Sequence, residues 1–599
     1  DPVLFAIQAA VLKARDVGEK HPTAVVIAAD TVVSLDGRIV GKPKSYNEAK
    51  EILMLLSGRR HKVITGIAVY RKDQERLLTD YELTYVQFSC LQEQEIENYL
   101  AQADYEDKAG AYAIQRQNDT FVKKIYGNYD NVVGLPVKKT KKLLEKFFLP
   151  EFETEIFDIV FPNNWTVGKV DNKVVFISGA VYGDKIKARI VKESKNFSYA
   201  EATFITAKSP FRIQPECIQF GRCGGCAFQD TVYEKQIELK ERYLLTTLQK
   251  LGGINTQIIE RYPIIPSPDK YFYRNKMEFA FGTDKNQLVI GMRQRKILFN
   301  KYQDRIVPLD GCPIFSKAVE RIFPIVRQFA RQIGRDAYNP YTKEGFFRHL
   351  VIREGKYTGQ IMVILVTRSS PSFNLTGLVE SLSTEDIKSL WWVENDRVAD
   401  VVSFEKKNHL LGNTFIEEKM ETLRYKIYPS TFFQSNTKAA EALYCKIKDN
   451  LIALNAKKVL GLYCGSGAIE TFISNTVESV EGVDIEPANI HNALENCRLN
   501  GIENCLFHTS PVEAVLNNLL LKEYDTLIVD PPRAGITPQA LKNILSLKVG
   551  SIIYVSCNPA AFARDISKIQ QEGYRLTKLY SADFFPHTPH LEAMGLLIK

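Results

Sequence analysis

The sequence contains no apolar stretch approaching the roughly 20 residues that a membrane-spanning helix requires. It does not open with the basic and then apolar segment of a secretory signal peptide. Its ten cysteines are few for 599 residues, whereas a secreted disulfide framework is denser and its chain shorter. No internal repeat is visible. These absences exclude a membrane protein and a disulfide scaffold, and they predict a cytoplasmic protein with no membrane partner.

The composition is that of an ordinary soluble protein, with 45% hydrophobic and 25% charged residues. At about 150 residues per domain, the length predicts about four domains. The formal charge of +8 arises from 78 basic and 70 acidic residues. This weak excess permits a nucleic-acid partner but does not require one. Nothing in the composition indicates an obligate protein partner.

The pattern along the chain predicts a multidomain α/β protein. Residues 1–147 alternate apolar runs with helical patterns, which is typical of an α/β domain. Residues 151–207 contain short β-rich runs separated by turn signals, which predict a small barrel. Residues 209–424 are mixed. Residues 425–599 alternate strands and helices again, which predicts a Rossmann-like, doubly wound parallel sheet.

A glycine-rich turn follows the first strand of this last region, in Val459–Gly467. Glycines let the backbone approach a ligand, and the helix after the turn presents free N–H groups. Asp484 ends the next strand, where a carboxylate can accept hydrogen bonds from ribose hydroxyls. A glycine-rich turn alone is often only structural. Together, the turn and the carboxylate predict a nucleoside-cofactor site.

Two further strands end in polar residues, at Asp530–Arg533 and at Ser556–Pro559. Because carboxyl ends of neighbouring parallel strands converge on one crevice, Asp530 and Cys557 are expected to share a site with Asp484. Cys557 could instead be a small buried hydrophobe, and the proline pair could simply stop a strand.

Four cysteines in the mixed region form a candidate metal site: Cys217, Cys223, Cys226 and Cys312. Four thiolates suit either zinc or an iron–sulfur cluster. Structural zinc more often uses two Cys-x-x-Cys pairs, whereas Cys312 stands alone. The alternative is a set of unligated thiols.

Five separated motifs of the C-terminal part resemble those of S-adenosylmethionine-dependent RNA (uracil-5-)-methyltransferases, over about residues 151–599. They are Phe432–Asn436, Leu462–Gly465, Asp530–Arg533, Ser556–Pro559 and His590–Glu592. The resemblance implies a class I methyltransferase domain. Amino-group methyltransferases usually end the Pro-Pro motif with an aromatic residue, whereas Arg533 follows here, which favours carbon methylation.

The resemblance also implies roles for particular residues. Cys557 is the nucleophile that adds to C6 of uracil, and Glu592 is the base that removes the C5 proton. The S-adenosyl-L-methionine site is formed by Gln434, Tyr463, Asp484 and Asp530. The sequence departs from the family at Gly461, where Asp is common, and at Ala468, where Asn or Thr is common. These departures predict fewer side-chain contacts to the cofactor and a lower affinity for it.

The sequence resembles the ribosomal-RNA branch of this family in two further features. The cysteine spacing is similar to its [4Fe–4S] site, and residues 151–207 resemble a TRAM domain, an OB-like RNA-binding module. Lysines in this segment interleave with Trp165, Phe176 and Tyr182, a combination that suits phosphate contacts and base stacking, although it also fits a solvated barrel face. These features favour 23S rRNA as the substrate, with tRNA as the alternative. A non-catalytic iron–sulfur RNA-binding protein remains a further hypothesis.

The N-terminal region carries a different set of motifs, which includes Ala28–Thr31, Gly41–Pro43 and Asp107–Gln115. A carboxylate that ends a strand, with lysines nearby, suits a metal-held triphosphate, although each of these residues could also lie on an ordinary surface. Residues 1–147 are similar to the Maf family of nucleoside-triphosphate pyrophosphatases.

The Maf resemblance implies roles for four residues and a divalent metal, Mg²⁺. Asp30 is the pyrophosphatase base or metal-linked carboxylate, and Lys42 contacts phosphate. Thr31 and Gln115 match positions of the branch selective for dTTP and UTP. The family's opening strand and Ser-Pro-Arg-Arg loop have no counterpart here. We therefore expect either that the natural chain starts earlier or that this domain is a remnant or a docking module. Pyrophosphatase as the main activity is the alternative to methylation.

Overall fold

The computed structural model describes residues 1–102, 105–114, 121–149, 151–162, 164–284, 287–295, 305–371, 373–514 and 523–599. Its contacts divide the chain into two compact units. One comprises Asp1–Phe152 and Lys187–Thr203, and the other comprises Glu153–Ile186 and Phe204–Lys599. The described residues contain no helix that combines the length and the apolar character needed to cross a bilayer.

The N-terminal sheet has the strand order β2-β1-β3-β4-β5, with antiparallel neighbours. Its strands are β1 (Val26–Leu35), β2 (Arg38–Val40), β3 (Arg60–Arg71), β4 (Arg76–Phe88) and β5 (Val122–Tyr126). Its helices are α1 (Pro2–Lys20), α2 (Tyr46–Leu56), α3 (Glu93–Gln102), α4 (Tyr129–Val133) and α5 (Val137–Phe147). The α/β pattern predicted for this region is confirmed.

Small residues let α1 lie directly on β3. Ala6, Ala10, Ala14 and Gly18 are the buried residues of α1, and their spacing of four places them on one helix face. A Cβ atom at Gly66 of β3 would collide with the backbone of Ala6. A side chain at Gly66 would therefore push the helix off the sheet.

The predicted barrel region folds into short strands. They are β6 (Glu151–Glu155), β7 (Asp158–Val160), β8 (Trp165–Val170), β9 (Lys173–Ser178), β10 (Lys185–Glu193) and β11 (Phe197–Ala207). β7, β8 and β9 form an antiparallel meander. Asp171 and Asn172, at φ of +46° and +62°, make the two-residue turn between β8 and β9, because Asn and Asp tolerate the left-handed region better than other side chains.

The region from 209 to 427 is built on a seven-stranded sheet of order β15-β14-β13-β16-β17-β18-β19, followed by the hairpin β20-β21. Its strands are β12 (Glu260–Arg261), β13 (Lys276–Asp284), β14 (Gln287–Arg293), β15 (Ile306–Pro308), β16 (Phe347–Glu354), β17 (Ile361–Thr367), β18 (Ser389–Glu394), β19 (Lys406–Gly412), β20 (Ile416–Met420) and β21 (Leu423–Ile427). Its helices are α6 (Tyr233–Gly252), α7 (Val319–Ile333) and α8 (Thr376–Ser383).

The C-terminal sheet has the strand order β12-β27-β28-β26-β25-β22-β23-β24. Its strands from this region are β22 (Lys458–Leu462), β23 (Ser479–Asp484), β24 (Cys505–Thr509), β25 (Thr526–Val529), β26 (Ser551–Ser556), β27 (Arg575–Ala582) and β28 (Glu592–Ile598). The helices are α9 (Thr437–Ala453), α10 (Ala468–Ile473), α11 (Pro487–Leu499), α12 (Pro538–Ser546) and α13 (Pro559–Gln571).

The parallel part of this sheet, from β24 to β26, is the α/β arrangement that the sequence predicts. β25 and β26 are buried along their whole length, as expected for strands covered by helices on both faces. β28 departs from the pattern, because it runs antiparallel to both β26 and β27.

Candidate active site

The carboxyl ends of β22, β23, β25 and β26 border a cavity of about 460 Å³. The cavity brings together all six residues predicted for the cofactor and for carbon methylation, which are Gln434, Tyr463, Asp484, Asp530, Cys557 and Glu592. Tyr463, Asp530 and Cys557 each directly follow one of these strands, and parallel strands place such positions at one edge of the sheet. Glu592 reaches the same edge because it begins the antiparallel strand β28.

The turn after β22 keeps the backbone close to the cavity. Tyr463, Gly465 and Gly467 have φ of +60°, +54° and +69°. A Cβ atom at Gly467 would lie 2.8 Å from Ala493 and 2.9 Å from Phe507, so glycine is required there by packing as well as by φ. Tyr463 is held in a region that side chains rarely adopt, which is common at binding sites.

Asp484 ties this turn to the start of α11. Its Oδ2 accepts a hydrogen bond from the backbone N–H of Gly465 at 3.0 Å. Its Oδ1 accepts from the N–H of Glu486 at 2.9 Å and from the side-chain amide of Asn489 at 3.2 Å. The carboxylate that borders the cavity is therefore fixed in place by three donors.

The other end of the cavity holds three acidic groups. Asp530 accepts a hydrogen bond from Gln434 Nε2 at 3.3 Å, and burial raises the pKa of Asp530 to about 6. Burial and the charge of Asp530 raise the pKa of Glu592 well above its usual range. Burial and the charge of Glu592 raise the pKa of the Cys557 thiol to about 11. In the free protein at neutral pH, Cys557 is therefore a thiol.

Arg533 is the cation that opposes these shifts. Its charge lowers the pKa of both Cys557 and Glu592. Its Nη2 donates to His590 Nδ1 at 3.2 Å. The sequence singled out Arg533 only because it is not aromatic, and its place beside the reacting groups follows from the folded loops.

The segment that leads to Glu592 is held by α6 and by the loop that contains Cys226. Ala227 and Phe228 donate their N–H groups to the carbonyl of His587 at 2.7 and 3.0 Å. Gln236 of α6 accepts the N–H of His587 at 2.9 Å. Lys240 of α6 donates to Asp583 Oδ1 at 2.6 Å and to the carbonyl of Phe585 at 3.0 Å. No sequence motif predicted this support, because its partners lie about 350 residues apart.

Glu470 is a cavity residue that the sequence interpretation missed. Its carboxyl group lies over Gly461, where a Cβ atom would be 3.0 Å from Glu470 Cδ. Glu470 therefore occupies the volume that a side chain at Gly461 would take. Its position in a short helix gave no signal of this role.

The four predicted metal-site cysteines are close enough for their charges to affect one another's pKa. The charges of Cys223 and Cys217 raise the pKa of Cys226, although burial is the larger cause and brings it to about 11. Burial and the charges of Cys226 and Cys223 raise the pKa of Cys312 to about 12. Across the described ranges, no group of three or more His, Cys, Asp or Glu side chains is arranged to hold a metal ion.

Asp30 and Lys42, two of the predicted pyrophosphatase residues, each form an ion pair with an oppositely charged side chain. Asp30 lies inside β1 rather than at a strand end, because β1 continues to Leu35, and it forms an ion pair with Lys13 at 2.6 Å. Lys42 pairs with the exposed Asp107 at 3.4 Å.

Of the two predicted specificity residues, Thr31 is described by the structure and Gln115 is not. Thr31 shares a hydrogen bond of 2.8 Å with Thr65 and also donates to the carbonyl of Gly134. Gln115 lies outside the described residues.

Two family models match the chain. Residues 1–147 match the Maf-like protein model, and residues 398–599 match the tRNA (Uracil-5-)-methyltransferase model. These matches confirm both resemblances, one at each end of the chain.

Relatives named as RNA methyltransferases match about three quarters of the chain. An uncharacterized RNA methyltransferase of Clostridium acetobutylicum is 37% identical over 466 residues, which are 76% of this chain and 99% of that protein. An uncharacterized RNA methyltransferase of Clostridium tetani is 34% identical over 450 residues, 74% of this chain and 96% of that protein. The solved tRNA (uracil-54, C5)-methyltransferase of Pyrococcus abyssi, bound to S-adenosyl-L-homocysteine, is 29% identical. It covers 74% of this chain and 100% of its own, with a TM-score of 0.59.

The fold, the cavity and these likenesses together define a class I methyltransferase. The chain belongs to the RNA (uracil-5-)-methyltransferase family and carries a Maf-like domain at its N-terminal end.

Proposed function

We propose that the chain transfers a methyl group to C5 of uracil in RNA through a covalent adduct between Cys557 and C6. The observation that supports this proposal is the single cavity that contains Cys557, Glu592 and the candidate cofactor residues. C5 of uracil is a weak nucleophile, so a nearby group must activate the ring. Cys557 lines the cavity and can do so by addition.

S-adenosylmethionine, the cofactor of this family, supplies an electrophilic methyl group when bound. The residues around the cavity fit it. Asp484 offers a fixed carboxylate for the ribose hydroxyls, and the turn at Gly465 lets the backbone approach. Gln434 and Asp530 are linked by a hydrogen bond at the far end. Tyr463 adds a partly buried ring.

Two protons are transferred, and one covalent bond between the protein and uracil forms and later breaks. The Cys557 thiol releases its proton to solvent and its sulfur bonds to C6 of uracil, and the electron pair of the C5–C6 bond moves onto C5 and the C4 carbonyl. After C5 has gained its methyl group, Glu592, as a carboxylate, removes the C5 proton. The electron pair re-forms the double bond, and the sulfur–C6 bond breaks. Arg533 favours the ionised forms of Cys557 and Glu592 on which these steps depend.

We also propose a domain layout with boundaries at 1–147, 151–207, 209–424 and 425–599. In this layout residues 151–207 form an OB-like TRAM module that binds single-stranded RNA. The substrate is 23S rRNA, with tRNA as the alternative. Support comes from the strands β6–β11 and from the lysines and aromatics that they carry.

In the same proposal, Cys217, Cys223, Cys226 and Cys312 hold a [4Fe–4S] cluster. Their chemistry fits, because four thiolates complete the ligand set of such a cluster. The backbone N–H of Gly225 lies 3.4 Å from Cys223 Sγ, and Gln229 Nε2 lies 3.2 Å from Cys226 Sγ. Donors of this kind stabilise ligating sulfur. The cluster would fix the loop whose N–H groups support His587.

The test is transfer of labelled methyl to unmodified 23S rRNA and tRNA transcripts by the full chain. Cys557→Ala is expected to abolish the label, and Glu592→Gln is expected to leave protein trapped on the RNA, because the C5 proton stays in place. Cys445→Ala, a cysteine of α9 outside the cavity, is the matched control and keeps full activity. If protein that contains the cluster labels neither RNA, the proposal is contradicted. It is also contradicted if no variant transfers methyl and Cys557→Ala binds RNA as wild type does.

A second activity is proposed for the Maf-like segment, on the strength of the match over residues 1–147. It is hydrolysis of dTTP or UTP to the monophosphate and pyrophosphate, with Asp30 as the base. Asp30 pairs with a lysine rather than with further carboxylates, so the described residues do not assemble the oxygen donors that Mg²⁺ takes. Pyrophosphate release by the full chain, lost in Asp30→Asn, would support this activity. Its absence would leave the segment without a catalytic role.

A further inference from the structure

Glu470 projects from α10 into the wall of the methyltransferase cavity. Its carboxyl group occupies the volume directly above the Cα atom of Gly461, in the middle of the sheet. The residue is 2% exposed, and it lines the same cavity as Asp484 and Asp530. A flexible acidic side chain has thus been brought to a position where glycine on β22 leaves room for it.

One oxygen of this carboxyl group is unsatisfied. Glu470 Oε2 is buried and has no hydrogen-bond partner among the described residues. Leaving a buried polar atom unpaired costs about 1–3 kcal/mol, and a charged one costs more. A buried carboxyl that borders a ligand cavity and has a free oxygen is best explained by a ligand that pairs with it.

The groups that face Glu470 are acidic or weakly acidic. Burial is the main cause, and the charges of Asp530, Asp484 and Cys497 are smaller causes, that together raise the pKa of Glu470 to about 8. Burial is the main cause that raises the pKa of Cys464, Tyr425 and Tyr444, and the charge of Glu470 adds to it. A cation is the partner that such an environment favours.

We propose that Glu470 is the residue that binds the ammonium group of the methionine part of S-adenosylmethionine. This inference rests on the proposed function, because it assumes that the cofactor occupies the cavity. The cofactor has two cationic groups, its sulfonium and its ammonium. The sulfonium must face Cys557 and the uracil, at the far end of the cavity. The ammonium is therefore the group left for a carboxyl at the β22 end.

The binding reaction includes a proton transfer to solvent. Below its pKa of about 8, Glu470 carries a proton in the free protein. The arriving ammonium stabilises the carboxylate, so the carboxyl proton leaves and an ion pair forms. At pH 7 this predicts release of close to one proton per ligand bound.

The test uses S-adenosylhomocysteine, which keeps the ammonium group but lacks the sulfonium. Calorimetry of the full chain at pH 7, in two buffers of different ionisation enthalpy, measures affinity and proton release together. In Glu470→Gln the affinity is expected to fall about 10- to 100-fold, the usual worth of a charged hydrogen bond, and the proton release is expected to disappear. 5′-Methylthioadenosine, which lacks the amino-acid part, is expected to bind wild type and Glu470→Gln equally.

Two further variants keep the inference falsifiable. Gly461→Asp combined with Glu470→Ala returns a carboxyl to the same volume from the strand side and is expected to recover most of the lost affinity. Glu478→Gln, which removes an exposed carboxyl that pairs with Lys457, is the matched control and changes neither quantity. Melting temperatures without ligand separate loss of binding from loss of fold.

Two results overturn the inference. If Glu470→Gln binds S-adenosylhomocysteine as wild type does, with the same proton release, Glu470 does not bind the ammonium and the proposed methyltransferase function is unaffected. If folded wild type binds neither S-adenosylhomocysteine nor S-adenosylmethionine, the proposed function fails and the inference fails with it.

Discussion

The buried ion pair between α6 and the segment before Glu592 permits a quantitative prediction. Neither Lys240 nor Asp583 has any exposed side-chain surface. Lys240→Met keeps the length of the side chain but removes the ammonium that holds Asp583 Oδ1 and the carbonyl of Phe585. A buried carboxylate would then lack its cation, and breaking such a pair costs about 3–5 kcal/mol. We expect destabilisation of this size, with the largest local loss in residues 583–592.

Urea unfolding of the full chain measures the change in the free energy of unfolding, and hydrogen exchange shows where protection is lost. Methyl-transfer rates should fall with the protection of this segment, because Glu592 follows it directly. Lys250→Met, an exposed lysine of the same helix, is the control and should change stability by less than about 0.5 kcal/mol. Lys240→Met combined with Asp583→Asn removes both charges and should recover much of the loss. A loss below about 1 kcal/mol in Lys240→Met would refute the reasoning.

Three further predictions concern the same site. The pKa of Cys557 is about 11 and that of Glu592 is raised, so the population of their ionised forms increases with pH. The value of kcat/KM should therefore rise between pH 7 and 9, and a flat profile would contradict this. Arg533→Met removes the cation that lowers both pKa values and should displace the profile to higher pH, measured against wild type in the same buffers. Cys226→Ser should lose iron and labile sulfide in anaerobically purified protein, with unchanged metal content arguing against the cluster. Gln236→Ala leaves the buried N–H of His587 without its acceptor and should lower the free energy of unfolding by about 1–3 kcal/mol. It should lower kcat more than it changes the affinity for S-adenosylhomocysteine.

The sequence by itself determined the elements of the C-terminal domain and the edge at which its site forms. The two strands that the sequence predicts to end at Asp530–Arg533 and at Ser556–Pro559 are β25 and β26, because short apolar runs bounded by turn residues favour buried strands. Parallel connections then place the carboxyl ends together, which is why Asp484, Asp530 and Cys557 could be assigned to one cavity.

Long-range packing decided what these signals do not carry. Glu470 reaches the cavity only because Gly461, nine residues earlier on a different element, leaves space for it. The support of Glu592 by Gln236 and Lys240 joins residues about 350 positions apart, and no local periodicity encodes that. The pKa shifts of Cys557 and Glu592 arise from burial beside Asp530 and Arg533. In the N-terminal region Asp30 lies within β1 rather than at its end, because strand length is set by pairing with β3. Residue types and their order fix which chemistry is possible, whereas burial and non-local contacts fix the protonation states and the partners through which it acts.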